Sequence, residues 1–377
     1  MSGQFCNNPR RTQDGRGVAM NQNHQDGPAA ADEAYQERIL QGVSRTFALT
    51  IPQLPPELRR VVSNAYLLCR IADTIEDDKH LPFDEKRKFA DRFIRVVAGA
   101  GSAEEFSAAL APILSPTATA DERDLIAHTD TVIRITHGFT PRQHAALERC
   151  IRIMADGMAR YQESNVRHGL KDLPDMDAYC YHVAGVVGEM LTELFCAYSP
   201  EIDRRREDLM QLAVSFGQGL QMTNILKDIW DDQRRGMCWL PRDIFAMYGA
   251  DLRKLSPGAR DPGFEQGLGH LIAVARSHLA NALRYTLLIP ARETGIRRFC
   301  LWALGMAVLT LRKINRHRSF ASGSEVKISR RSVYATIAMT NLLTRQDGLL
   351  RSLFSITARG LPAPIPASPS GPLTGTA

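Results

Sequence analysis

The chain has 377 residues, with 47 Lys and Arg against 41 Asp and Glu for a net charge of +6, and is 44% hydrophobic and 23% charged. That composition excludes global disorder, and so mild a basic excess on so long a chain excludes a dedicated nucleic-acid binder. No apolar run reaches the roughly 18 residues a bilayer span needs, which excludes an integral membrane protein; the longest candidate, Leu301 to Leu311, reads as buried helix.

Residues 1–32 are rich in Asn, Gln, Gly and Arg without periodicity, and are expected to form a disordered tail. The start, MSGQFCNNPRRTQDGRG, carries charge and amides where a secretory signal has an apolar core, so a cytosolic chain is expected. Pro55 and Pro56 then open a helix whose apolar residues Leu58, Val61, Val62, Ala65, Leu68, Cys69 and Ala72 recur at helical spacing, to about Asp78. Further helices are predicted over 85–99, 121–136, 141–165, 176–197, 204–232, 263–289, 294–318 and about 330–355, with Pro- or Gly-containing loops between. No hairpin-bounded alternation suggests strands, so the fold class is all-α, with residues 33–358 one catalytic domain and 359–377 a Pro/Ser/Gly-rich disordered tail. The seven cysteines are scattered without C-x-x-C spacing and read as buried free thiols.

Two acidic clusters stand out. In the first, Asp73, Glu76 and Asp77 share a helix face, continued N-terminally by Tyr66 and Arg70. Carboxylates near a helix C-terminus are disfavoured by the dipole unless solvent or cations compensate, and taken alone the cluster could be a solvated helix end. In the second, Gln221, Asn224, Asp228 and Asp232 form one polar stripe, while Ile225, Leu226 and Ile229 can face a core. The periodicity leaves Asp231 open as an alternative to Asp232. Two such helices facing each other could hold hard cations. Mg²⁺ prefers few carboxylates, several waters and phosphate oxygens, so the pair predicts a diphosphate substrate. P-loop, H-E-x-x-H and G-x-S-x-G patterns are absent.

Ser44-Arg45-Thr46-Phe47, Arg70-x-x-Asp73-x-x-Glu76-Asp77, the run from Tyr179 to Gly188, and Gln221-x-x-Asn224-x-x-x-Asp228-x-x-x-Asp232 resemble, in order, the signatures of the squalene and phytoene synthases over about residues 36–335. The resemblance implies the all-α isoprenoid-synthase bundle around a central cavity. It implies Mg²⁺ ligation by Asp73 and Asp77, with Glu76 between them, and by Asn224, Asp228 and Asp232 opposite. Ser44, Arg45 and Arg70 match diphosphate-binding positions, Phe47 and Gln221 further substrate-binding ones, and Tyr179 a tyrosine of the carbocation steps. Gly185 and Gly188 read as close-approach positions. One departure is Met237, where the family usually has a basic residue after the glycine, leaving Arg234 or Arg235 to supply that charge.

Within the family, the segments Phe299 to Ala303 and Val326 to Arg330 resemble squalene synthases, with Lys327 and Arg330 as candidate NADPH-phosphate ligands, although no dinucleotide fingerprint is present. The resemblance therefore implies head-to-head condensation of two farnesyl diphosphates through presqualene diphosphate to squalene, with Mg²⁺ and NADPH. The alternatives are a phytoene, dehydrosqualene or presqualene diphosphate synthase without reduction, and a non-catalytic helical binding protein, against which the intact acidic motifs speak. An oily product and the basic C-terminal segment predict peripheral attachment to an anionic membrane surface.

Overall fold

The computed structural model describes residues 28–44, 46–163 and 166–365. Among these residues there is no strand, and the chain is a packed array of helices. The principal ones are α1 (Pro28–Val43), α2 (Pro56–Asp77), α3 (Phe83–Val97), α4 (Ala103–Leu110), α5 (Ala120–Ala127), α6 (Thr129–His137), α7 (Pro141–Glu163), α8 (Leu173–Cys180), α9 (Val186–Tyr198), α10 (Arg206–Arg234), α11 (Arg242–Met247), α12 (Pro262–Leu288), α13 (Thr294–Arg316), α14 (Arg330–Leu343) and α15 (Asp347–Thr357).

Helix α2 follows its sequence pattern: Pro56 opens it, and Leu58, Val61, Val62, Ala65, Leu68 and Ala72 are buried. It stops at Asp78, which turns extended. One Asp78 carboxylate oxygen accepts the N–H groups of His80 and Leu81 at 2.8 and 2.9 Å, and the other accepts that of Ser115 at 2.6 Å. Asp78 thus satisfies three loop amides, while Glu76 and Asp77 before it line the cavity.

Several boundaries differ from the sequence expectation. The helix expected over 121–136 breaks at His128, where the chain leaves helical geometry. The one expected over 176–197 contains a π turn, Tyr181–Gly185, with the Val186 N–H reaching the Tyr181 carbonyl. The last helix divides at residues 344–346 into α14 and α15. Helices α4 and α11 are additions to the expected set, and α1 begins at Pro28, inside the expected tail, because Ile39, Leu40 and Val43 seat its last turns in the core. At the other end, Arg276 donates to the carbonyls of Leu361 and Pro362 at 3.0 and 2.7 Å, so the start of the Pro-rich segment is fastened to α12. Most of both expected tails lies outside the described residues.

Buried apolar side chains form two adjoining clusters, the first drawn from residues 39 to 300 and the second from residues 161 to 361. Helix α10 borders both. It packs against α9 and α12, and glycines allow the contact: a methyl on Gly188 would collide with the Ala213 carbonyl, and one on Gly217 with the Ala184 carbonyl. Helix α13 is, among the described residues, the one helix long and apolar enough to cross a membrane, but 61% of that window is buried in the protein. Of the described cysteines all are free, and Cys238 alone is not fully buried.

Candidate active site

A cavity of 1130 Å³ lies between the two core clusters, lined from both. Along α2 its lining passes from Val62 and Ala65 to Arg70, Asp73, Glu76 and Asp77; along α10 it passes from Ala213, Phe216 and Leu220 to Gln221, Asn224, Asp228 and Asp232. Both helices therefore grade from apolar to acidic toward their C-termini. From residue 62 to residue 77 of α2 this spans about 22 Å of helix. The acidic ends meet: Arg235 lies 3.7 Å from Asp77 of α2 and also pairs with Asp232 of α10.

At the apolar end, Phe195, Tyr285, Phe299 and Ala303 line the wall, with Phe47 packed near Tyr66 and Phe299. The Thr192 hydroxyl donates to Gly188 at 2.8 Å and stands 2.9 Å from the Tyr285 hydroxyl, so the tyrosine's polar tip is satisfied away from the cavity. Such a wall offers water no hydrogen-bond partner at this end of the cavity.

Burial raises the Asp73 carboxyl to about 7, with Arg70 opposing the rise and Asp77 and Glu122 adding to it. Burial likewise raises Asp232 to about 6, opposed by Arg235 and reinforced by Asp228 and Asp77. Both carboxyls are desolvated, and Arg70 and Arg235 offset only part of that cost. Among the described residues no group of three or more carboxylate, imidazole or thiol side chains is placed to hold a metal ion by itself. An open, oxygen-only donor set fits Mg²⁺, which keeps waters and takes phosphate oxygens, and does not fit a fully protein-enclosed metal.

Arg70 pairs with Glu122, not with Asp73 or Asp77. Glu122 also accepts the Thr119 N–H at 2.8 Å in the capping box that opens α5, so one carboxylate both caps a helix and steadies the arginine. Tyr179 is buried and stacks on Trp239, ring centroids 3.9 Å apart, with Tyr161 meeting it edge-on at 5.2 Å. Burial drives its hydroxyl pKa well above the ordinary value. Asp232 lines the cavity and is buried, whereas Asp231 does not line it and pairs with Arg234.

Of the sequence candidates, Phe47, Arg70, Asp73, Glu76, Asp77, Tyr179, Gln221, Asn224, Asp228 and Asp232 line this one cavity. Ser44 does not; its hydroxyl accepts the N–H groups of Phe47 and Ala48 at 3.1 and 3.3 Å, turning the segment that presents Phe47. Arg45 lies outside the described residues. Lys327 and Arg330 are exposed and do not line the cavity. Glu122 and Trp239, which contact Arg70 and Tyr179 respectively, are neighbours of the candidate residues that sequence reasoning misses. The capping-box pattern Thr119-x-x-Glu122 is a legible signal for a helix start, but not for a contact with Arg70.

The sequence model of the squalene/phytoene synthase family matches residues 40–332. The chain belongs to that family. The squalene synthase of Eremothecium gossypii is 30% identical over 297 residues, covering 76% of this chain and 62% of the relative. Squalene synthase BSS of Botryococcus braunii is 30% identical, covering 83% and 66%, and squalene synthase 1 of Arabidopsis thaliana 31%, covering 72% and 63%. The chain thus spans less than two thirds of each of these relatives. TcSQS in complex with the ligand E5700 superposes with a TM-score of 0.71 at 24% identity, covering 87% of this chain and 91% of that one. A dehydrosqualene synthase with bound ligand gives 0.58 at 20% identity, covering 85% and 97%. These structures establish the isoprenoid-synthase helical fold of a squalene/phytoene synthase family member.

Proposed function

We propose that the protein joins two farnesyl diphosphates head to head and reduces the product to squalene. The observation that carries this reading is the cavity graded from an acidic end to an aromatic and aliphatic wall, on two helices whose carboxylates meet. Two diphosphates can be drawn to the charged end while their prenyl chains lie along the apolar lining. Asp73, Glu76 and Asp77 on α2, and Asn224, Asp228 and Asp232 on α10, would hold Mg²⁺. Bound there, Mg²⁺ supplies charge neutralisation for a leaving diphosphate. Arg70, steadied by Glu122, offers the same diphosphate its fixed fork of donors, with Gln221 in the same lining; Ser44 turns the segment that presents Phe47 to the prenyl chain, and Arg45 is a further diphosphate ligand on the family resemblance alone.

In the first stage one farnesyl diphosphate loses diphosphate, the second molecule's double bond attacks the allylic cation, and loss of a proton gives presqualene diphosphate. Tyr179, its ring clamped between Trp239 and Tyr161, lies at the cavity wall with a hydroxyl that stays protonated, suited to hold a proton or a water there. In the second stage presqualene diphosphate loses its diphosphate and the skeleton rearranges; NADPH, when bound, would supply the hydride that turns the final cation into squalene, with Lys327 and Arg330 proposed to hold its phosphates. The likeness to relatives named squalene synthase supports this outcome. Lys327 and Arg330 stand exposed and off the cavity lining, so they lend this outcome no support of their own, and the alternative is a synthase that ends at presqualene diphosphate or dehydrosqualene without reduction.

Peripheral membrane attachment of a cytosolic chain completes the proposal, supported by exposed Tyr334, Leu342, Leu349 and Ile356 on α14 and α15 beside Arg345 and Arg351. The deciding experiment incubates the purified chain with farnesyl diphosphate and Mg²⁺, with and without NADPH, and analyses products by gas chromatography. Squalene that appears only with NADPH is expected. A product mixture unchanged by NADPH leaves the non-reductive synthase, and absence of diphosphate release removes the enzyme.

A further inference from the structure

The cation that joins the two acidic helices in this structure belongs to the protein itself. Arg235 stands just beyond the end of α10, where the chain turns out of the helix toward Gly236. Its guanidinium reaches Asp232 on its own helix and, at 3.7 Å, Asp77 of α2. Lys227 similarly lies 2.8 Å from one oxygen of Asp228. Arg234 points its charge to Asp231, which does not line the cavity, so only one of the two adjacent arginines spans the clusters.

The Arg235 side chain is 47% exposed and Asp77 62%, while Asp232 is 10% exposed, so the Asp77 arm of the bridge lies at the solvent edge and the guanidinium can leave without unpacking the core. A guanidinium between two carboxylates offsets the same repulsion that a divalent ion would offset, and it has no acceptor, so it can engage carboxylate or phosphate but never a cation.

We propose that Arg235 is an internal stand-in for the divalent cation, displaced from Asp77 and Asp232 when metal enters and transferred to the oxygens of the incoming diphosphate. The inference rests on the reading of the cavity as a Mg²⁺-diphosphate site. It assigns Arg235 two opposed effects: in the empty site it competes with metal, and with diphosphate present it adds to binding.

The test uses isothermal titration calorimetry on the full chain with Mg²⁺ alone, and then with inorganic diphosphate at saturating Mg²⁺. Arg235→Gln should bind Mg²⁺ alone about fivefold more tightly and inorganic diphosphate about fivefold or more weakly, the scale of an exposed ion pair in each direction. Arg235→Lys should return both affinities toward the original, and Arg234→Gln, which removes the same charge from the same turn, should change Mg²⁺ affinity by less than half as much. Unchanged or weaker Mg²⁺ binding in Arg235→Gln, or an equal effect of Arg234→Gln, overturns the inference while leaving the site reading intact. An unmodified chain that binds neither Mg²⁺ nor inorganic diphosphate overturns both.

Discussion

Tyr179 lies flat against Trp239, with ring planes 7° from parallel and centroids 3.9 Å apart. The contact joins α8 to the segment that follows α10, so the loop leaving the acidic helix closes over the cavity wall. Replacing Trp239 by Leu removes the stack, worth about 1 kcal/mol, and opens the wall beside Tyr179. We expect Trp239→Leu to keep the helical circular dichroism but to raise the share of prenyl alcohols, products of water capture, in gas chromatography. Tyr179→Phe keeps the stack and loses the hydroxyl, so it should leave urea stability within about 1 kcal/mol while lowering turnover. An unchanged alcohol fraction in Trp239→Leu would show that the indole does not exclude water.

Much of this arrangement is periodic and therefore legible in sequence. Asp73 and Asp77, or Asn224 and Asp228, lie four residues apart, and a helix places such pairs on one face whatever surrounds it. What periodicity cannot carry is the meeting of two faces from distant parts of the chain. Arg70 finds Glu122 52 residues away, and Tyr179 finds Trp239 across an intervening long helix. The split at His128 and the π turn at Tyr181–Gly185 are hidden for the opposite reason: the apolar spacing continues through them, while the hydrogen-bond register does not. Asp231 and Asp232 are adjacent on α10, and only the packed structure separates the cavity-lining residue from its neighbour.

The acidic helices should be needed for turnover and not for folding. Asp77→Asn or Asp228→Asn is expected to lower the rate of diphosphate release on the order of a hundredfold or more, with the unfolding midpoint little changed, because both carboxylates are solvent-accessible. Asp231→Asn should be much milder, since its carboxylate does not line the cavity and is held by Arg234. Comparable losses in Asp231→Asn and Asp228→Asn would contradict the stripe that excludes Asp231.

Close helix approach predicts a stability contrast among glycines. Gly188→Ala and Gly217→Ala each press a methyl into a neighbouring carbonyl, and should cost about 1–3 kcal/mol in urea unfolding. Gly348, in the first turn of α15 with open space where an added methyl would stand, should tolerate Ala without loss. Equal midpoints for all three variants would mean that α9, the π turn and α10 can separate at no cost.

Asp73 and Asp232 set a pH dependence of the metal-free chain. Their carboxyls, raised to about 7 and about 6, hold protons in the folded state that they would release when unfolded. The stabilisation is therefore fully present below the ordinary carboxylate value near 4 and is lost as pH rises through 6 and then 7. The thermal midpoint without metal should fall between pH 5 and pH 8, and Mg²⁺ should recover part of the loss at pH 8, because a cation compensates the ionised pair. Asp73→Asn should flatten the profile. A midpoint that rises over this interval in unmodified protein would refute the protonated state of both groups.

The apolar face of α14 and α15 leads to the last prediction. Tyr334 and Leu342 are 69% and 71% exposed, and Met339, Leu349 and Ile356 are exposed with them, a concentration of large apolar side chains that an isolated soluble surface rarely carries. From residue 327 to residue 359 the sequence has Lys327, Arg330, Arg331, Arg345, Arg351 and Arg359 against the single acid Asp347, which is already paired with buried Arg297 at 2.7 Å. Apolar side chains can enter the acyl boundary while the arginines meet anionic headgroups, each at about 1 kcal/mol near the surface. Sedimentation with vesicles containing phosphatidylserine should therefore pull down the chain at low salt, less so at high salt, and little with neutral phosphatidylcholine. Leu342→Asp with Leu349→Asp should weaken binding at every salt concentration, whereas Arg345→Ala with Arg351→Ala should remove mainly the salt-sensitive part. Vesicle binding indifferent to all four substitutions would move the attachment elsewhere on the molecule, and no binding to either vesicle would leave the face without a lipid partner.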